Sequence, residues 1–395
     1  MFILDTDLYW PFQVCPCVII LFIFDSMSPY NLGSCTSEPR LDRINLSTNS
    51  RDTMASLIKL LAPYVPYSLD VLGAILNTGP RTNTLQDVDP SKVFLWSTIP
   101  FHPGAISTTD PPVLFSIVTF SHLNRQFCVF CSSDSSTTDP PSEVERTHVK
   151  YVFEYLQDMA REARPTYDAF LTPRKSTIIH GIDTSIPMIV IEAVHQKWAE
   201  VLAPLTACQI PSVRYVFPPG TFARDGLRSV IRLEGVEEEV EVSEIAASDL
   251  AFVHGASTLA RSDAYLLSRA PCSVCLRFRG DVVIGADGGH EVGQVIACAL
   301  MHAGGSIGAL RVHPEHQRRG FGRVVVRALM EKLDCGKNRG DLGSIVDGHQ
   351  DLGGGALNWN WTDTEERNEA GNGFFSSVAS TGSSWPCHWT YIPIN

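Results

Sequence analysis

The sequence predicts an α/β (α+β) protein, with mixed β-sheets flanked by helices. Three observations lead there. Short apolar runs suited to strands alternate with stretches of helical spacing along most of the 395 residues. One unit, Ile307 to Leu333, joins a strand, a glycine-bearing loop and an amphipathic helix in that order. An acidic run, Glu234 to Glu244, separates an earlier α/β stretch from a later one. Such a run reads as a solvated face or linker.

Taken in order, the chain starts with an apolar run, Val14 to Phe24, broken by Pro16. It is too short for a membrane span, which needs about 20 residues. Asp5 and Asp7 stand where a signal peptide wants basic residues. Ser, Asn, Asp and Pro dominate 25–53, so 1–53 is expected to be a disordered or extraneous extension and no membrane association is expected. Leu57 to Leu61 and Leu69 to Leu76 read as helices; Val93 to Trp96, Val113 to Phe120 and Phe127 to Phe130 read as strands. Ser142 and Glu145 form a capping box for a helix with Val149, Val152, Phe153, Leu156 and Met159 on one face. Thr177 to Ile179 reads as a short strand, the stretch from Ser185 and Pro187 to Leu202 as a helix, and Val213 to Phe217 as a strand. This places one α/β domain over 54–220 and a linker over 221–244. A second domain then fills 245–395: a helix from Ala246 to Ala260, strands from Ser273 to Arg277 and Gln294 to Met301, then the strand, loop and helix. The segment 335–355 is rich in Gly and Asp and irregular. Ala356 to Trp361 and Trp385 to Ile392 read as strands.

Composition narrows the function. Hydrophobic residues are 44% and charged residues 19%, a balance that fills globular cores. Lys and Arg number 31 against 43 Asp and Glu, a formal charge of −12, which argues against nucleic acid as a partner. The 11 cysteines are an odd number in a long chain, which fits free thiols in a reducing, cytoplasmic setting. Two Cys-x-x-Cys pairs, Cys128/Cys131 and Cys272/Cys275, sit far apart and within apolar runs. They read as core thiols rather than zinc ligands, and no metal is expected.

The unit from Ile307 to Leu333 carries the chemistry. Pro314 ends strand pairing, and Gly320 and Gly322 let the backbone turn and approach a ligand closely. Val325, Ala328, Leu329 and Leu333 then recur at helical spacing. The first amides of a helix have no intrahelical partners, and the dipole there favours negative charge. A pyrophosphate is therefore stabilised at such a point. Arg318, Arg319, Arg323 and Arg327 add positive charge.

Val312-His313-Pro314-Glu315-His316-Gln317-Arg318-Arg319-Gly320-Phe321-Gly322 resembles the acyl-coenzyme A signature of the GNAT superfamily of N-acetyltransferases. Gln317, Gly320 and Gly322 fill its three specified loop positions. The resemblance implies that acetyl-CoA or another acyl-CoA is the co-substrate. The loop of Gln317, Arg318, Arg319, Gly320, Phe321, Gly322 and Arg323 would hold its pyrophosphate, and Leu310, Arg311 and Val312 would pair with its pantetheine arm. The acceptor would be a small-molecule amine or a peptide. The layout also resembles the glycine N-acyltransferase-like branch, which implies two GNAT-like halves, the first degenerate and the second active. That branch carries a glutamate base in a Gly-Glu-x-Arg pattern. Here Gly308-Ala309-Leu310-Arg311 puts Ala309 in its place. Asn368 and Phe374-Phe375 match the next family motif only loosely.

The general base is thus unassigned. His302 closes the strand before Ile307 and faces either the cleft or solvent; His313 and Glu315 flank Pro314 as base candidates or plain loop residues. Cys298 lacks a histidine at dyad spacing and reads as strand core. Three functions stay open: an N-acyltransferase, a coenzyme A-binding protein without catalysis, and an interaction protein on a decayed fold. The intact loop argues against the third.

Overall fold

The computed structural model describes residues 40–44, 50–77, 93–101, 114–121, 126–136, 140–162, 178–179, 182–183, 187–221, 230–231, 239–256, 261–279, 283–284, 290–291, 293–334, 353–379 and 383–394. The earlier strands are β1 (Asp42–Ile44), β2 (Val93–Ser97), β3 (Ser116–Ser121), β4 (Gln126–Cys131), β5 (Met188–His195) and β6 (Cys208–Phe217). The later ones are β7 (Val230–Ile231), β8 (Val240–Ser243), β9 (Ser273–Phe278), β10 (Val295–Met301), β11 (Ile307–Val312), β12 (Asn360–Glu365) and β13 (Ser383–Pro393). The main helices are α1 (Ser50–Leu61), α2 (Leu69–Leu76), α3 (Glu143–Glu162), α4 (Leu250–His254), α5 (Asp263–Ser268), α6 (Phe321–Asp334) and α7 (Glu369–Val378).

Among the described residues one sheet has eight strands, in the order β1-β2-β3-β4-β5-β13-β6-β12, and another has five, β11-β10-β9-β8-β7. The two halves exchange strands. The last strand, β13, lies antiparallel between β5 and β6, from Ser383↔Val216 to Tyr391↔Cys208 on one side and from Cys387↔His195 to Pro393↔Met188 on the other. In turn β6 carries β12 on its far edge, with Asp363 opposite Arg214.

The same order recurs in each half: a strand, a connection, a long helix, then the next strand of the layer. In the first half this is β4, α3, β5; in the second it is β11, α6, β12. Helix α3 begins on its capping box, with Ser142 Oγ accepting from the Glu145 amide at 3.3 Å and Glu145 Oε2 accepting from the Ser142 amide at 2.7 Å. Val149, Val152, Phe153, Leu156 and Met159 are all buried on one face. Helix α6 buries Phe321, Val325, Ala328, Leu329 and Leu333 against the second sheet. Apart from Ala328, each such side chain contributes about 1.5–3 kcal/mol on burial, so both helices are held by their sheets.

The two halves differ where strand meets strand. In the first, β4 and β5 pair in parallel, Phe127 with Ile191 and Cys128 with Glu192. In the second, the corresponding β11 and β12 belong to different sheets. Their described contact includes one side-chain bond, Thr362 Oγ1 to the Ile307 carbonyl at 2.8 Å. The second half is therefore open at the seam that the first half closes.

A buried ionic network sits at the join. Arg214 on β6 donates from Nε and Nη2 to both oxygens of Asp363 at 2.7 and 2.8 Å. Its Nη1 and Nη2 donate to both oxygens of Asp70 on α2. Trp361 Nε1 adds a bond to Asp70 at 3.1 Å. Gly73 on the same helix lies against the Gly304 carbonyl, where a Cβ would collide with backbone.

Several sequence expectations are corrected. The stretch Met188–His195 is strand β5, not helix, and helical turns occupy only 196–205. Its Ile189, Val190, Ile191 and Val194 are β-branched and stiff, which suits an extended chain flanked on both sides. The 221–244 stretch is no plain linker, since β7 and β8 lie in it and add to the second sheet. The helix expected over Ala246 to Ala260 is only α4 after a short 3₁₀ turn, and 257–260 lie outside the described residues. The strand expected over Ala356 to Trp361 starts at Asn360, because Ala356 and Trp359 bridge a tight turn in which Leu357 and Asn358 have φ of 48° and 63°. The extension assigned to 1–53 is too long: Asp42–Ile44 pairs with β2, and α1 starts at Ser50. Residues 1–39, including the apolar run 14–24, lie outside the described residues, as do 335–352. Among the described residues no helix is long and apolar enough to cross a membrane.

Candidate functional site

The site is built on β10, β11 and the connection to α6. The two strands pair antiparallel with a bulge, since Cys298 faces Arg311 and Leu300 faces Gly308, leaving Ala309 and Leu310 opposite Ala299. Ala309 takes φ of 49° there. A bulge bends its strand and re-aims the backbone. Strand β11 is also an edge of its sheet. One row of its backbone groups therefore faces the seam with β12.

After Val312 the His313 amide still bonds the Ile296 carbonyl at 2.7 Å. Pro314 to His316 form a 3₁₀ turn, and Gln317 Nε2 reaches back to the Val312 carbonyl at 3.4 Å. Arg318 and Gly320 then take φ of 61° and 87°. No atom lies within 4 Å of a Cβ added at Gly320, so conformation rather than crowding calls for glycine there. At Gly322 the reason is space: its added Cβ would stand 3.3 Å from Phe374 on α7 and 3.6 Å from Val312.

This path leaves donors free. The Gly320 carbonyl accepts from the amides of Arg323 at 3.0 Å and Val324 at 3.2 Å, so the helix is capped there. The amides of Arg318, Arg319, Gly320, Phe321 and Gly322 bond no other described residue. Alternating left-handed residues ahead of a helix N-terminus form an anion-binding concavity.

The basic residues divide. Arg318 and Arg319 are exposed beside the loop. Arg319 lies 5.7 Å over the Phe321 ring and 3.2 Å from His316 Nδ1. Arg323 reaches Ser377 Oγ on α7 at 3.3 Å. Arg311 turns away to the Phe252 carbonyl at 2.7 Å and stacks over the Phe252 ring. Arg327 is paired with Glu331 along its own helix at 2.8 Å. So Arg311 can serve a ligand only through its backbone, and Arg327 stands apart from the loop.

His302 is half-buried rather than a surface residue at the strand end. Its Nδ1 lies 2.9 Å from the Tyr265 hydroxyl, which also accepts from the Ala303 amide at 3.3 Å. Its Nε2 occupies the space of a Gly308 Cβ, so that glycine is what admits the ring. Burial and the charges of Arg261 and Arg269 hold the imidazole well below its usual pKa, so it is neutral at neutral pH. The ring thus abuts the residue preceding Ala309. His313 and Glu315 lie instead on the loop, with His316.

Cys298 is buried, its thiol pushed up to about 12 by burial and its Sγ donating to the Ala309 carbonyl at 3.4 Å. Protonated at any working pH, it is core and no nucleophile. Cys128, Cys131, Cys272 and Cys275 are all buried free thiols. Sequence reasoning missed Tyr265, whose apolar helical setting gives no sign of its partner, and Glu192 of β5. Glu192 is buried, its Oε1 accepts from Ser306 Oγ at 3.5 Å, and burial pushes its carboxyl to about 8.

Residues 283–346 match the FR47-like protein family, which is of GNAT kind. No curated protein matches the sequence. Among solved structures, a Drosophila protein is similar at TM-score 0.47 and 12% identity, over 91% of this chain and 100% of that one. A tandem GNAT protein from the clavulanic acid biosynthesis pathway is similar at TM-score 0.41 and 10% identity, over 89% of this chain and 97% of that one. A GCN5-related N-acetyltransferase from Sphaerobacter thermophilus follows at TM-score 0.34 and 11% identity, over 76% and 79%. At these scores the likeness is one of broad outline and bears on neither substrate nor mechanism. The family match is the specific finding, and the stretch holding β10, β11, the loop and the whole of α6 is GNAT-like.

Proposed function

We propose that the protein is an acyl-CoA-dependent N-acyltransferase that moves an acyl group, acetyl first among the candidates, to a small-molecule or peptide amine. The observation that carries this reading is the group of unbonded amides from Arg318 to Gly322 at the head of α6, beside the open seam between β11 and β12. A pyrophosphate suits that concavity, with Arg318 and Arg319 at its rim. A pantetheine arm needs an edge strand to pair with and a gap to enter, and Leu310 to Val312 supply the edge.

The chemistry follows from groups present. The amine must lose a proton before it attacks. In the tautomer with the proton on Nδ1, facing the Tyr265 hydroxyl, His302 has an Nε2 lone pair to accept the amine proton, and its lowered pKa keeps the ring neutral. The amine nitrogen attacks the thioester carbonyl carbon, and a β11 amide freed by the bulge steadies the oxyanion. Collapse breaks the carbon–sulfur bond; the thiolate leaves and takes the second proton of the attacking nitrogen, while His302 holds the first. The glycine N-acyltransferase-like branch would divide the chain into two units near 54–220 and 245–395, with β1 and α1 added ahead of the first and β7 and β8 ahead of the second. Ala309 argues against glycine as the acceptor, because the carboxylate of that branch is missing. Ala309 also supports a second reading, coenzyme A binding without turnover.

Thiol release from acetyl-CoA across a panel of amines separates the two, with the Gly320→Asp protein as blank. Signal above blank with at least one amine is expected. Binding without release for every amine favours the second reading.

A further inference from the structure

We propose that His313, Glu315 and His316 form a binding site for a divalent transition-metal ion of the zinc class on the phosphate loop. One ligand atom from each of the three lies within 4.8 Å of the others. Two imidazoles and a carboxylate are a donor set that Zn²⁺, Co²⁺ and Ni²⁺ accept, with a fourth position left for water or another oxygen ligand. A bound ion needs ligand distances of about 2.0–2.2 Å, so the exposed loop closes by roughly an ångström on coordination.

The local backbone already brings the three together. Pro314 starts the 3₁₀ turn, and the His316 amide bonds the His313 carbonyl at 2.8 Å. The rings of His313 and His316 lie 5.6 Å apart, with Phe252 and Phe278 packed beside them. The second observation is an unmet need. His313 Nδ1 is shielded from solvent and has no hydrogen-bond partner. A buried imidazole nitrogen left unpaired costs free energy, and coordination through that nitrogen would give it a partner. Glu315 is exposed and makes no ion pair with a described residue.

Coordination has a consequence next door. His316 Nδ1 faces Arg319 Nη1, a donor with no lone pair, so this nitrogen accepts and Nε2 carries the proton. Ligation through Nδ1 displaces Arg319. Ligation through Nε2 moves the proton to Nδ1, which can then no longer accept from Arg319. Either route frees the guanidinium beside the loop amides, so the ion and the anion site are linked through one arginine.

The test is titration of the full chain with ZnCl₂ by calorimetry and with CoCl₂ by absorption. The parent should bind one ion more than His313→Ala/His316→Ala, and Glu315→Gln should weaken that ion by at least about tenfold. Thiols elsewhere in the chain contribute equally to all three proteins, and cobalt held by them shows thiolate charge-transfer bands that the His and Glu ligands do not give. Glu315 is exposed, so its variant decides the matter even where the double variant folds poorly. Equal stoichiometry and affinity in parent and Glu315→Gln, or bands of thiolate type alone, would overturn the site.

Discussion

Thr362 donates its hydroxyl to the carbonyl of Ile307 at 2.8 Å, joining two strands that lie in different sheets. The corresponding strands of the first half pair through their backbones at Phe127–Ile191 and Cys128–Glu192. A side-chain bond at one end leaves the rest of the seam free, whereas a backbone ladder closes it. Among the described residues, two halves with one layout thus differ at this seam, paired in the first and open in the second. Thr362→Val removes the donor and leaves a buried carbonyl short of one partner. Urea unfolding should show a loss of about 1–2 kcal/mol with an unchanged m-value.

Arg214 is the larger dependence. It is buried and holds two carboxylates from elements on either side of the join. Arg214→Met leaves Asp70 and Asp363 facing each other unneutralised. Loss of about 3–5 kcal/mol is expected, as for other buried pairs broken on one side. Asp70→Asn/Arg214→Met/Asp363→Asn should recover part of it in the same denaturation measurement.

Glu192 gives a pH dependence whose sign is fixed. Burial raises its carboxyl from 4.5 to about 8. Between those values the folded chain keeps the proton and the unfolded chain loses it. The stabilisation is complete below about pH 4.5 and is lost as pH rises toward 8. The slope reaches about 1.4 kcal/mol per pH unit for one proton. Glu192→Gln should flatten stability against pH across that window. An unchanged slope in the variant would place the titrating group elsewhere.

His302 makes a kinetic prediction. His302→Gln should lower kcat by about 10²–10⁴-fold while leaving acetyl-CoA affinity unchanged. In the parent the acidic limb of kcat/KM should fall below the usual histidine range, because burial and the two arginines disfavour the imidazolium. Tyr265→Phe should lower kcat less than His302→Gln does, since it frees the ring without removing the base.

Local signals carried much of this in the sequence. Ser142 and Glu145 gave the start of α3, and five apolar residues gave its face. Ile307 to Val312 and the helix from Phe321 were legible because a proline, two glycines and a 3.6-residue period coincide there. Strand β5 was not, since a continuous apolar run between two partners has no period of its own. The strand exchange was equally hidden, because β13 finds its partners some 170 to 200 positions upstream, as in Ser383↔Val216 and Pro393↔Met188. Arg214 meets Asp70 and Asp363 across 144 and 149 positions, so nothing nearby in sequence marks the network. In the site itself, the loop residues were readable but the direction of Arg311 was not, since it depends on Phe252 and the close approach allowed by Gly255.

The proposed anion site is the row of loop amides from Arg318 to Gly322, set to hold the phosphates of an acyl-CoA. Gly320 has φ of 87° and open space at its Cβ position, so Gly320→Asp adds a carboxylate at the anion site along with backbone strain, and Gly320→Ala adds the strain alone. Calorimetric titration of acetyl-CoA into the parent and both variants measures this directly. Saturable binding to the parent, weaker binding to Gly320→Ala and none to Gly320→Asp are expected. Equal affinity in all three proteins would contradict the proposed site.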